Sequence, residues 1–474
     1  MDYREILAQS IEEKKQEFIR ISNQIWEYAE PRFQEEKSSA LQQQYLKEQG
    51  FAVRSDLAGE KTAFIAEYGS GKPVIAFLGE FDALSGLSQE ADNPERAPIP
   101  GCEQGHGCGH QLLGTGALAA AVALKEKMQA DHLPGTIRYY GCPAEENAGG
   151  KAYLVRDGYF DDCDVALTWH ASTTNTVAHV SSLANFRVFF TFHGLSSHAA
   201  GAPHLGRSAL DAVELMNVGV NYMREHMIST ARVHYAVTNT GGTAPNVVQS
   251  EAQVLYAIRA PKVTQVKELY NRICKIAQGA ALMTETTVDI QQVSAYSNLI
   301  RNEVISQQMY DAMNYFLPQN YTEEELEYAR TFQKSISDLD RSNLKNTVVN
   351  LVGKEKAKEV LQSPMLNFLC PIPTTSGSGS TDVGDVSWVV PTSYFYTACW
   401  AAGTPGHAWQ QVAQGKSSIA HKGMLLAAKV LACVGYAFLT QPELVQQAHD
   451  AWVEDLDGES YPNPLPKDLK PFLW

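Results

Sequence analysis

Basic charge is scarce in this chain. Lys and Arg number 38 against 53 Asp and Glu, a net charge of −15 over 474 residues, which argues against nucleic acid or an anionic membrane as the main partner. An anionic substrate would need a local cationic pocket. The eight cysteines lack the dense, regular spacing of a secreted disulfide scaffold, so a reducing compartment is expected, the cytoplasm by default. No apolar core follows the polar, helix-patterned opening Met1–Ile6, and no signal peptide is expected. Met424 to Leu439, the most apolar late stretch, is short for a bilayer and interrupted by Lys429; it reads as a buried helix. No internal repeat is visible. The remaining balance, 44% hydrophobic and 19% charged, is that of a globular enzyme with a sizeable core, in two or three domains or one with an insertion.

Against this background a few short stretches carry chemistry. Cys108-Gly109-His110, Glu145-Glu146 and Trp169-His170 bring thiolate, imidazole and carboxylate donors within about 60 residues, the set a catalytic divalent metal takes. Cys108, His110, Glu146 and His170 are the candidate ligands. Glu145, beside one of them, is placed to activate a water. Each piece alone is weak, since Cys is often a small buried hydrophobe and adjacent carboxylates are usually a solvated pair. Context strengthens them. A Gly-rich run from Pro100 to His110 feeds an apolar helix at Leu112–Leu124, with His106 and Cys102 as decoys that spacing does not exclude. Glu145 and Glu146 follow the strand-like Thr136–Cys142, and His170 ends the strand-like Asp164–Trp169. Sites in open α/β sheets gather at the carboxyl ends of strands.

The alternation of strand and helix patterns up to residue 183 predicts an α/β fold with a mostly parallel or mixed sheet. Helical periodicity marks residues 1–50, with Ile6, Ile11, Phe18, Ile21, Ile25 and Trp26 on one stripe. Strands are predicted at Thr62–Tyr68 and Pro73–Leu78, the latter ending on Glu80 and Asp82. From residue 184 the order becomes β-α-β-β-α-β, the ferredoxin-like signature. Residues 184–297 are therefore predicted as an inserted α+β domain within a catalytic domain formed by 1–183 and 298–474. Residues 315–345 read as a charged helical surface excursion, Thr374–Asp382 as a polar, substrate-facing loop, and Ser417–Leu439 as the last long helix.

With Gly79–Leu84, Cys108–His110, Pro143–Glu146, Trp169–His170, Ser197–Ala200 and Gly241–Asn246 in view, the chain resembles the metal-dependent aminoacylase and carboxypeptidase family over nearly its entire length. It is most similar to the amidohydrolase branch with auxin-conjugate and hippurate hydrolases, and within that to the aminobenzoyl-glutamate utilization protein B group. The resemblance implies two divalent ions, zinc or manganese. Cys108 would bridge them, with His110, Glu146, His170 and a C-terminal histidine as further ligands. Glu145 would be the general base, and Asp82 would orient ligands from behind. It also implies that the inserted domain is a lid that dimerises, supplying His198 to the scissile carbonyl and Asn246 and Arg259 to the substrate carboxylate. In resembling enzymes the lid His and Asn reach the partner's site, whereas the Arg serves its own. The implied substrate is an N-acyl amino acid, p-aminobenzoyl-glutamate first. The assembly would be a homodimer, or a heteromer with a related subunit.

Two motifs depart from the pattern: Gln111 stands where Asp is usual after Cys-Gly-His, and in the Asp82 motif Glu80 replaces an Asp and Ser85 a Pro. His407 and His421 compete as the C-terminal ligand; the loop Gly403–His407 at a strand end favours His407, while His421 begins a long apolar helix. From the residues alone, His198 is equally a surface-loop histidine, Asn246 a common turn residue, and Arg259 either a strand cap or a fork for a carboxylate.

Overall fold

Val74–Glu80 and Gly135–Cys142 are buried along their whole lengths, as strands covered on both faces must be. A computed structural model, which describes residues 2–146, 148–178, 181–373 and 379–472, places them side by side at the centre of a seven-stranded sheet. Gly135–Cys142, Val74–Glu80, Val165–Ser172 and Thr392–Ala398 run parallel in that order. Ile75 and Phe77 face one side of the sheet, and Ala76 and Leu78 the other, the two-residue alternation of a pleated strand. The first side packs on Tyr3–Glu13, Lys15–Tyr28, His110–Asp131, Glu303–Phe316 and Ser418–Thr440. Residues of Gly150–Arg156 and Val383–Ser387 cover the second. The architecture is a helix–sheet–helix sandwich.

A second sheet, of four antiparallel strands, is formed between residues 184 and 296. Its spatial order is Thr287–Tyr296, Ala184–His193, Glu251–Ala260, Arg232–Asn239. The helices Ala209–Met223 and Val263–Thr284 cover one face, burying Phe186, Val188, Phe190 and Ile258 in a separate apolar cluster.

The large sheet is mixed, one of the two arrangements expected: Ala52–Leu57 and Glu60–Ser70 pair antiparallel at one edge, and Thr176–Ala178 at the other. Several finer expectations need correction. Ala52–Leu57 is not foreseen from sequence because its exposed edge is polar (Arg54, Ser55, Asp56) and shows no apolar run. His170 lies inside Val165–Ser172 rather than beyond it. Ile6 is 37% exposed and leaves the predicted stripe. Ser418–Thr440 matches the long helix expected at Ser417–Leu439; by length and composition it could cross a membrane, but 83% of its apolar window is packed inside the protein. It is not the last long helix, because Pro442–Leu456 follows. Part of the predicted polar loop, residues 374–378, lies outside the described residues.

Candidate metal centre

The four parallel strands end together, and each end or following loop delivers a polar group. Val74–Glu80 ends on Glu80 and leads to Asp82; Gly135–Cys142 leads to Glu145 and Glu146; Val165–Ser172 carries His170; Thr392–Ala398 leads to the loop with His407. Cys108 and His110 arrive on the turn that starts helix His110–Asp131. Gly109 between them has φ +79°, a left-handed conformation in which a side chain would also collide with Trp400 at 2.9 Å, so only glycine permits this bend.

The donors converge in three groups, each with ligand atoms within 4.8 Å of one another: Cys108 with His110 and His170, Cys108 with Glu146 and His407, and Glu80 with His110 and Glu145. All of them except His110 line a cavity of about 250 Å³ with Trp169, Tyr394, Tyr396 and Gly379–Thr381. The imidazoles are oriented from behind. His110 Nδ1–H donates to Asp82 Oδ1 at 2.8 Å, and His170 Nδ1–H to the Ala171 carbonyl at 2.8 Å. Each ring therefore directs Nε2 toward the other donors, the orientation a metal ligand needs. Nε2 of His170 lies 3.3 Å from Cys108 Sγ. Buried His110 Nε2 and Glu146 Oε1 have no hydrogen-bond partner, although Glu80 Oε2 lies 3.2 Å from the first and His407 Nε2 lies 3.6 Å from the second. Buried polar atoms are rarely left so. Thiol, imidazole and carboxylate donors with orphaned inward-facing atoms fit a pair of divalent cations.

Asp82 also accepts the Glu146 amide at 2.8 Å with its other oxygen. The turn bearing the two glutamates is further pinned by the Ala144 amide donating to Glu35 at 2.9 Å, with Ala144 held at φ +58°. His407 too has positive φ, +51°, and its amide donates to Gln411 at 2.7 Å. Such conformations persist where surrounding structure enforces them.

Electrostatics separates the groups. Burial pushes the Glu145 carboxyl well above the usual carboxylate range, and Glu80, Glu146 and Asp382 add to it. Burial and the neighbouring His110 bring His170 down to about 4, so it is neutral. For His110 burial opposes the charged form, but Asp82, Cys108 and Glu80 outweigh it and raise its pKa. Burial likewise raises the Cys108 thiol, with Glu146 adding. Glu80 is held below the usual range despite burial, chiefly by the Lys151 ammonium. Fully buried Lys151 bridges Glu80 and Asp382, at 2.7 Å from the latter.

Of the C-terminal candidates, His407 joins the donor group; His421 instead bonds Asn23 at 2.9 Å. The decoys also point elsewhere: His106 donates to the Ile25 carbonyl and Cys102 to the Gln104 carbonyl. His198 and Asn246 do not reach the cavity in the single chain. Both are exposed on paired loops; His198 Nδ1 accepts the Gly201 amide at 3.0 Å, and the Asn246 carbonyl accepts the Ala199 amide at 3.0 Å. Arg259 is half-buried near the end of Glu251–Ala260, outside the cavity lining. Sequence reasoning marks Glu80 only as a motif departure and misses Lys151 and Glu35. Lys151 carries one readable signal, a cation in the first turn of helix Gly150–Arg156, opposed to the helix dipole. Glu35 carries none.

The protein-family model described as peptidase family M20/M25/M40 matches residues 76–461. The chain is 44% identical over 467 residues to a subunit of p-aminobenzoyl-glutamate hydrolase from Escherichia coli (strain K12), covering 98% of this chain and 97% of that one. An aminobenzoyl-glutamate utilization protein from Klebsiella pneumoniae superposes with a TM-score of 0.59 at 16% identity, covering 92% of this chain and 98% of the other. A dinuclear metal-binding M20 peptidase from Bacillus subtilis does so with 0.55 at 15% identity, covering 90% and 99%. The chain belongs to peptidase family M20/M25/M40 and is a hydrolase of amide bonds.

Proposed function

We propose that this chain is a dinuclear metal-dependent amidohydrolase that splits N-acyl amino acids, with p-aminobenzoyl-glutamate, cleaved to p-aminobenzoate and glutamate, as the leading substrate. The observation that carries the reading is the pair of donor groups sharing Cys108, with Glu145 beside them. The substrate follows the activity named for the 44% identical relative. Cys108, His110 and His170 would hold one ion, and Cys108, Glu146 and His407 the other. Zinc and manganese both suit this mixed donor set.

Two such cations lower the pKa of a water toward neutrality and polarise an amide carbonyl. Glu145 takes the proton from the attacking water and returns it to the leaving amine nitrogen. Its burial among other carboxylates favours the protonated form that must make this second transfer. Asp82 keeps His110 and the Glu146 backbone in place.

Residues 184–297 act as a lid and dimerisation domain, with His198 stabilising the oxyanion and Asn246 holding substrate in the partner's site. The exposure of both residues in the single chain supports this division. Arg259 receives the carboxylate in its own subunit. The assembly is a homodimer, or a heteromer with a related chain, the latter supported by the relative's being one subunit of a named hydrolase. All eight cysteines are free, which supports a reducing, cytoplasmic setting.

Elemental analysis of protein purified without chelator, paired with hydrolysis across N-acyl amino acids, tests the proposal. Near two equivalents of metal are expected, lost on Cys108→Ala; unchanged content in that variant would remove the ligand assignment. Equal or faster cleavage of neutral dipeptides would remove the substrate.

A further inference from the structure

Arg32, Arg187 and Arg259 come from three separate parts of the chain and gather beside the Glu145 turn. Strand register places two of them. Asn185 pairs with both Arg259 and Tyr296, and Arg187 with Ala257, so Asn185, Arg187, Arg259 and Tyr296 stand on one face of the small sheet. That face is turned away from the helices, which take the intervening Phe186, Val188 and Ile258. Tyr296 O–H donates to the Glu145 carbonyl at 3.1 Å, fastening this end of the face to the turn. Arg32 enters from the loop between the helices Lys15–Tyr28 and Glu36–Glu48. Its neighbour Pro31 bridges Ala83, and the Phe33 and Ala144 amides both donate to Glu35, at 2.9 Å each.

All three arginines are half-buried. Burial first, then the Arg187 charge, holds both Arg32 and Arg259 below the ordinary arginine value. Asn185 on the same face is fully buried, and neither atom of its carboxamide has a hydrogen-bond partner. A fully buried carboxamide with neither atom satisfied, set among three half-buried guanidiniums, marks a polar binding site.

We propose that Arg32 and Arg187, supported by Asn185, form a second carboxylate subsite next to Arg259, so that the leaving amino acid is recognised as a dicarboxylate. This rests on the acyl-amino-acid hydrolase reading. Arg259 takes the α-carboxylate, while Arg187 and Arg32 take the side-chain carboxylate of glutamate or aspartate, each fork matching a planar anion. A neutral leaving group would offer these forks no second carboxylate.

Metal-loaded protein assayed with N-benzoyl-glutamate and N-benzoyl-glutamine tests this. The expected wild-type preference is for glutamate, with Arg187→Gln and Arg32→Gln each lowering that ratio by ~10–100-fold, the scale of a lost charged hydrogen bond. The change should fall on KM for the glutamate compound, and Arg187→Lys should retain part of the preference. An unchanged ratio, or equal loss on both substrates, overturns the subsite. Calorimetric binding of glutarate to the same preparations separates the two readings without turnover. Absent hydrolysis with glutarate binding lost in Arg187→Gln removes the hydrolase and keeps the subsite. Normal hydrolysis with glutarate binding unaltered removes the subsite and keeps the hydrolase.

Discussion

Single carboxylates in this protein are given different tasks by their surroundings. Burial among like charges raises the proton affinity of Glu145, whereas the Lys151 ammonium lowers that of Glu80. Replacing Glu145 by Gln preserves shape and should leave the metal content near that of the unaltered protein, while kcat falls by roughly a hundredfold or more; a near-normal rate would make Glu145 structural. Farther from the cavity, Asp385 is raised to about 7 by burial, with Asp382 adding to it although Ser297 and Tyr461 donate to it. Between the ordinary Asp value of 3.8 and about 7 the native state retains a proton that the unfolded chain has released. The stability that this group contributes is thus complete below the lower value and is lost as pH rises through the higher one. Asp385→Asn should flatten that decline, read as urea midpoints across the window; an identical pH slope in both proteins would show Asp385 titrating normally. At this scale the donors were legible because Cys, His and Glu occur in tight, Gly-flanked motifs. Lys151 and Glu35 were not, because a buried charge is defined by partners distant in sequence, Asp382 being more than 200 residues from Lys151.

Helix His110–Asp131 and strand Val74–Glu80 touch backbone to backbone. A methyl group on Gly114 would sit 2.4 Å from the Glu80 carbonyl oxygen, so the helix lies against the strand end that delivers Glu80 and Asp82. Gly114→Ala should destabilise the fold by about 1–3 kcal/mol, the usual range for overpacking, and weaken metal retention as His110 parts from Asp82. Chemical denaturation and metal content measured together check this; a variant as stable as the parent would show that the contact yields. Elements of this kind were readable where burial on both faces made continuous apolar runs. The antiparallel edges were not, since Ala52–Leu57 has an exposed polar pattern and no residue in it announces a partner strand.

For the whole molecule, the small sheet leaves Tyr235 and Val237 40% and 41% exposed on its outer strand, and Leu215, Val218 and Tyr222 exposed on a covering helix. If subunits pair there and exchange His198, then mixing inactive His198→Ala with inactive Glu145→Gln should restore activity in mixed dimers. No recovery after verified subunit exchange would count against a composite site. The family and the α/β architecture were legible from motifs spread along the chain. The relation between protomers was not, because exposed side chains on one chain do not name what meets them.

Asp82 has one further consequence. One of its oxygens steadies His110 and the other the Glu146 amide, while Cys108 belongs to both donor groups. If two ions are held as proposed, their seats are not independent: the first to arrive would order the mount on which the second must land. Filling should be cooperative, with the singly loaded form scarce at every concentration. An Asp82→Asn protein, with one acceptor oxygen exchanged for a donor, should instead fill in two resolved steps.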